Sequence, residues 1–352
     1  MYIEKSGLQE SNTLTNVSCT YAGEGGKVLP GLTDYLKGLG IMAVMVNHFY
    51  NNYIGNTYEG YANGFIAVFF GLSGYGIYHS LNRLTYSIDT AKAALSYYLK
   101  RALRIYPLYF IVAGLYCLKD GFNLPIIFGL GSPRWFVSAI LACYIVSFPL
   151  FILQKKWGTI SFILFTAAGI ALMNAFDSFA GSYMGFFSLF FPKYRGVYFG
   201  YVLIFSSGMI MPQLLWKWKT TANVSLIKLI LASVVFWAAI HFTRENNLIA
   251  GCFFILATFI FIFTFLLANP KVWGKKIVCL IGNYSYSIYL FHVFYYKALE
   301  KIGLIKIHTP WTAVYPLLFF PLFLAGCVLL EKNMNKSVKK LLFIGGRNTG
   351  GN

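Results

Sequence analysis

The stretch DYLKGLGIMAVMVNH, Asp34 to His48, decides how the rest of the chain is read. From Gly38 to Val46 it offers nothing that lipid would exclude, yet it opens with a lysine and closes on a histidine. Read as a helix, eleven steps of about 100° bring His48 to within about 20° of Lys37, with a rise of about 16 Å. The two side chains thus share one face at different depths, Lys37 near one mouth of the span and His48 deep. Ionisable groups inside a membrane span are expensive and point to function.

The composition around this stretch sets its solvent. Of 352 residues 58% are hydrophobic and only 11% charged, and the mean hydropathy is +0.62. An aqueous surface cannot be assembled from so few charges. A hydrocarbon core of about 30 Å needs about 20 apolar residues per helix. Spans then fall near 33–52, 61–81, 103–118, 135–153, 158–176, 196–215, 224–242, 248–268, 277–296 and 311–330. The expected fold is all-α, an integral membrane protein built as a polytopic bundle of about ten transmembrane helices. The third span is short and can extend back through Leu99 as an amphipathic lead-in. The aromatic stretch from Tyr183 to Tyr194 is too short to cross and reads as re-entrant or interfacial.

Three segments follow: an N-terminal tail over 1–31, a transmembrane domain over 32–331 and a C-terminal tail over 332–352. The first tail carries Glu4, Glu10 and Glu24 and has no apolar h-region, which argues against a cleaved signal peptide. A net charge of +18 could suggest nucleic acid, but lysines and arginines punctuate apolar runs here and form no separate basic stripe. That pattern fits the positive-inside rule and anionic lipid headgroups. With the N-terminus inside, most of the 29 basic residues fall on the cytoplasmic side. The expectation is therefore a multi-pass protein of the cell membrane with both termini cytoplasmic. Cys117, Cys143, Cys252, Cys279 and Cys327 lie within apolar runs at no metal-ligand spacing, so neither a metal nor a disulfide framework is expected. Nothing in the sequence bears on oligomeric state.

Three further segments place polar groups among apolar ones. In KRALRIYP, Arg101 and Arg104 stand at i and i+3, where two guanidinium groups can clamp phosphate; ordinary positive-inside charge is the plainer alternative. In AVFFGLSGYGIY, Gly71, Gly74 and Gly76 permit close approach and Ser73 sets a hydroxyl at membrane depth, although helix packing alone accounts for such a pattern. In GNYSYSIYLFH, Ser285, Tyr289 and His292 fall at i, i+4 and i+7 on one face. His292 can orient a substrate or satisfy a buried network.

Together these segments resemble acyltransferase family 3, a family of membrane acyltransferases, from about Leu32 to Leu330. Its basic residue, ten positions and histidine match Lys37 and His48. Its Phe-Phe-x-Leu-Ser-Gly signature matches Phe69, Phe70, Leu72, Ser73 and Gly74. Its Arg-x-x-Arg followed by Tyr-Pro matches Arg101, Arg104, Tyr106 and Pro107. Its late Ser-Tyr-x-x-Tyr-Leu-x-His matches Ser285, Tyr286, Tyr289, Leu290 and His292. Many relatives carry a glutamate five residues after the tryptophan of the fourth span, where Ile140 stands here.

The resemblance implies an acyl-CoA donor, by default acetyl-CoA, and a carbohydrate acceptor on a surface polysaccharide or lipid-linked glycan. The phosphates of coenzyme A suit Lys37, Arg101 and Arg104, with Ser73 beside them. The thioester then reaches toward His48 as general base, with an acyl-histidine as the second route. Imidazole suits the role because its unperturbed pKa lies close to physiological pH. Asn51, Tyr53, Tyr289 and His292 are the candidates for acceptor binding, against an aromatic belt as the competing reading of the first two. A polytopic transporter or flippase for a glycan or lipid is the alternative from another class.

Overall fold

The structure is a computed structural model that describes residues 30–55, 60–87, 90–122, 135–158, 195–218, 224–242, 248–306 and 309–347, with single positions at 127, 160, 164, 165 and 168. Its long elements are all helices: α1 (Pro30–Tyr53), α2 (Gly60–Ser87), α3 (Thr90–Asp120), α4 (Trp135–Trp157), α5 (Arg195–Trp218), α6 (Leu226–Phe242), α7 (Leu248–Ala268), α8 (Lys275–Asn283), α9 (Ser285–Lys301) and α10 (Val314–Arg347). A 3-10 turn, Pro310–Ala313, leads into α10. Helices suit lipid because they satisfy every interior backbone group within the segment itself.

Each expected span coincides with helix except the fifth, 158–176, which lies almost wholly outside the described residues, as does the Tyr183–Tyr194 stretch. Among the described residues five helices are long and apolar enough to cross a bilayer, α2, α3, α4, α7 and α10, and the bent pair α8–α9 makes up to six. The 17-residue α6 is apolar but shorter. Polar residues keep α1 out of that set: Asp34, Lys37, Asn47, His48 and Asn51 all lie along it. The lead-in to the third span runs further back than Leu99, since α3 begins at Thr90 and continues through Pro107.

The ninth span is not one straight helix. It breaks at Tyr284, and α8 and α9 meet at 81°. At the break both backbone groups of Tyr284 are paired: its N–H donates to the Leu280 carbonyl at 3.3 Å and its carbonyl accepts from the Ile288 N–H at 3.0 Å.

Two helix pairs lie almost backbone to backbone, and glycine is what allows it. A Cβ on Gly38 would strike the Val278 carbonyl of α8, and one on Gly282 would strike the Asp34 carbonyl of α1. Across α2 and α5, a Cβ on Gly74 would meet the Phe205 carbonyl and one on Gly208 the Gly71 carbonyl. Small residues at such crossings let dispersion act between backbones where lipid offers no hydrophobic drive. Around these crossings Ile41, Val44, Phe70, Ile77, Tyr109 and Ile288 form part of one buried cluster. The polar α1 thus packs against α2, α8 and α9, and that packing positions the site.

Candidate functional site

Two groups of polar residues lie along α1, at opposite ends of the face shared by Lys37 and His48. At the deep end His48 Nδ1 is 2.8 Å from His292 Nε2, and the ring centroids are 5.0 Å apart. His292 Nδ1 is in turn 2.6 Å from the backbone oxygen of Tyr289, one helical turn earlier. A carbonyl can only accept, so His292 Nδ1 carries the proton and donates. His292 Nε2 then offers a lone pair, which accepts from His48 Nδ1–H. The tautomer of His48 follows: its Nε2 holds the basic lone pair.

This chain of donors is held by its surroundings. His292 is buried and His48 half-buried. Tyr296 stands edge-on to His292 with centroids 6.1 Å apart, and its hydroxyl donates to the Met45 carbonyl of α1 at 3.0 Å. The Tyr289 ring packs on Phe136 of α4 at 4.4 Å. One turn beyond His48, Asn51 Nδ2 donates to Asn47 Oδ1 at 3.2 Å, and the Tyr53 hydroxyl donates to Glu300 Oε2 at 3.0 Å. Of the four acceptor candidates, His292 touches His48 through its side chain. Tyr289 joins through its carbonyl and its ring, 5.7 Å from that of His292, and Asn51 and Tyr53 engage Asn47 and Glu300.

At the other end Lys37 Nζ lies 3.6 Å from Asp34 Oδ1. Arg104 is exposed and acts electrostatically on Asp34, Lys37 and Glu331 of α10. Glu331 Oε2 accepts from the Ser287 hydroxyl of α9 at 2.7 Å. Arg101 is held differently. Its Nη2 donates to Ser80 Oγ of α2 at 2.9 Å, and its guanidinium lies over Tyr97 at 5.4 Å and Tyr144 at 5.7 Å. Its Nε is buried without a hydrogen-bond partner. Both arginines act on Lys37; Arg101 is anchored on Ser80, Tyr97 and Tyr144, and Arg104 is exposed.

Ser73 is half-buried on α2. It shares a face with Gly76 and Ser80, at i, i+3 and i+7. Gly76 is exposed, with no atom within 4 Å of where its Cβ would be. This strip of small residues is open where it approaches Arg101. Sequence reasoning passed over Asp34, Ser80, Tyr97, Tyr144, Ser287 and Glu331. Asp34 was within reach, because an acid three residues before a lysine pairs with it on a helix. Glu331 gave no local signal, since it stands at the end of a span beside Lys332. Among the described residues no group of three His, Cys, Asp or Glu side chains is placed to hold a metal ion.

The arrangement offers a cationic, half-open mouth and, roughly 16 Å along α1, an imidazole whose basic nitrogen is fixed by a second imidazole. No curated protein and no solved structure matches the chain. A family model described as an acyltransferase domain matches residues 33–331, a range that takes in both ends of the site. The chain belongs to acyltransferase family 3 and is a membrane-embedded acyltransferase.

Proposed function

We propose that this acyltransferase moves an acetyl group from cytoplasmic acetyl-CoA to a hydroxyl of a surface or lipid-linked carbohydrate, with His48 as general base. The observation that carries the proposal is the chain from His48 through His292 to the Tyr289 carbonyl, which leaves His48 Nε2 as the basic nitrogen. The phosphates of the donor lie at Lys37, Arg101 and Arg104, and the pantetheine arm follows α1 past Ser73 to bring the thioester beside His48.

His48 Nε2 takes the proton of the sugar hydroxyl as its oxygen attacks the thioester carbonyl. The carbon–sulfur bond then breaks, the ester remains on the sugar, and the departing thiolate of coenzyme A takes the proton from His48. No charge leaves the site uncompensated. While His48 is an imidazolium, its Nδ1–H still donates to His292 Nε2, so the second ring stabilises the charge and fixes the angle of the first. This is the work that a carboxylate does in the serine hydrolase triad. Acceptor binding falls to the half-open region beyond His48, near Asn51 and Tyr53. Both termini are assigned to the cytoplasm by the positive-inside reading.

The test is transfer of radiolabelled acetyl from acetyl-CoA to a host glycan extract by the full chain reconstituted in lipid nanodiscs. Label in the glycan, absent when the protein is omitted, is the expected result. Acetyl-CoA left intact with every extract would remove the reading and bring the flippase forward.

A further inference from the structure

We infer that Asp34 and Glu331 are built-in counter-anions of the basic mouth, which the donor's phosphates displace on entry and which help expel spent coenzyme A. This rests on the donor assignment made above. The two carboxylates come from different helices, α1 and α10, and face cations from α1 and α3. Lys37 is paired with Asp34 at 3.6 Å, and Glu331 accepts from Ser287 at 2.7 Å while Arg104 lies within electrostatic range of both acids.

Two acids set among the three cations Lys37, Arg101 and Arg104 offset part of the positive charge of the mouth. Charges at membrane depth are retained in such mutual pairs because a lone one is costly. A ligand bearing several phosphate charges therefore competes with groups already present, and binds less tightly than the bare cations would allow. The side chains at the pair are only partly covered, 26% exposed for Lys37 and 16% for Asp34, so exchange needs no unfolding. Arg101 is the contrasting case. Among the described residues no carboxylate lies within ion-pair distance of it, and its anchors are a hydroxyl and two aromatic faces. It serves as the fixed contact, and Lys37 and Arg104 as the exchangeable ones. The arrangement suits a donor site that must release a polyanionic product at every turnover.

The experiment is calorimetric titration of coenzyme A into the full chain in nanodiscs, comparing Glu331→Gln and Asp34→Asn with the unaltered protein. Each variant keeps an oxygen that can accept a hydrogen bond while removing one negative charge. The expected result is a Kd lower by about fivefold or more in either variant, with KM and kcat for acetyl-CoA falling together as product release slows. Glu300→Gln, which removes a carboxylate at the opposite end, should leave the Kd for coenzyme A unchanged. Unchanged or weaker binding in both mouth variants, or equal tightening in Glu300→Gln, overturns the inference. Failure of the unaltered protein to bind coenzyme A overturns the donor assignment itself, and is read separately from the variants.

Discussion

The two ends of the α1 face are built on different physical terms. At the histidine end the two imidazoles are held by short contacts, 2.8 Å to each other and 2.6 Å from His292 to a carbonyl, beside a packed wall of aromatic rings. At the basic end the charges are partly exposed, the ion pair of Lys37 with Asp34 is longer at 3.6 Å, and Arg104 is exposed. One end is preorganised, which is what lowers a barrier. The other is exchangeable, which is what lets a charged ligand come and go. On the proposed function, binding and chemistry in this enzyme are separable along one helix.

Removing His48 should break the comparison most sharply. His48→Ala is expected to abolish transfer while coenzyme A binds with unchanged Kd, as read by turnover and calorimetry on the same preparation. Loss of both would mean that the ends are not separate. Next comes His292→Ala, which leaves the base in place but unoriented. A fall in kcat of about 10²-fold with little change in KM for the donor is expected, and His292→Gln should recover part of it by accepting from His48 Nδ1–H. Equal activity in all three proteins would reduce His292 to packing.

A smaller effect is expected at the mouth. Arg101→Ala should weaken coenzyme A binding by about ten- to a hundredfold, the scale of one or two charge-assisted hydrogen bonds. Arg101→Lys should recover little, because an ammonium cannot keep both the Ser80 contact and the aromatic stacking. Arg83→Ala, on an exposed cation whose Nε donates to the His79 carbonyl, should change the Kd by less than about twofold. Parity between Arg83 and Arg101 would return the arginine to positive-inside charge. The smallest effect on chemistry belongs to the scaffold. Gly74→Ala forces α2 from the Phe205 carbonyl of α5 and should cost about 1–3 kcal/mol of stability. Thermal denaturation would show it, with kcat per folded molecule nearly intact.

Much of this was legible before any coordinates, and the remainder was hidden for identifiable reasons. The shared face of Lys37 and His48 follows from helical periodicity alone, and so does the grouping of Tyr289 with His292. That His48 and His292 touch does not follow, because they lie 244 positions apart and only the crossing of α1 with α8 and α9 brings them together. The break at Tyr284 had a faint signal in the Gly-Asn-Tyr-Ser run, which is turn-forming in water, but hydropathy reads through it. The anchoring of Arg101 on Ser80, Tyr97 and Tyr144 was invisible because spacing fixes Cα positions and leaves long side chains to their neighbours. Glu331 was passed over because sidedness arguments count lysine and arginine, and an acid at a span end looks incidental. Whether the fifth span crosses falls outside the described residues.

The most direct test of the central claim is mass spectrometry of surface and lipid-linked glycans from three sets of cells. One set makes the unaltered chain, one makes His48→Ala at matched abundance, and one makes neither. The account predicts glycans heavier by whole acetyl groups in the first set alone. Acetylated glycans at equal level in the His48→Ala cells, or none in cells making the unaltered chain, would contradict it.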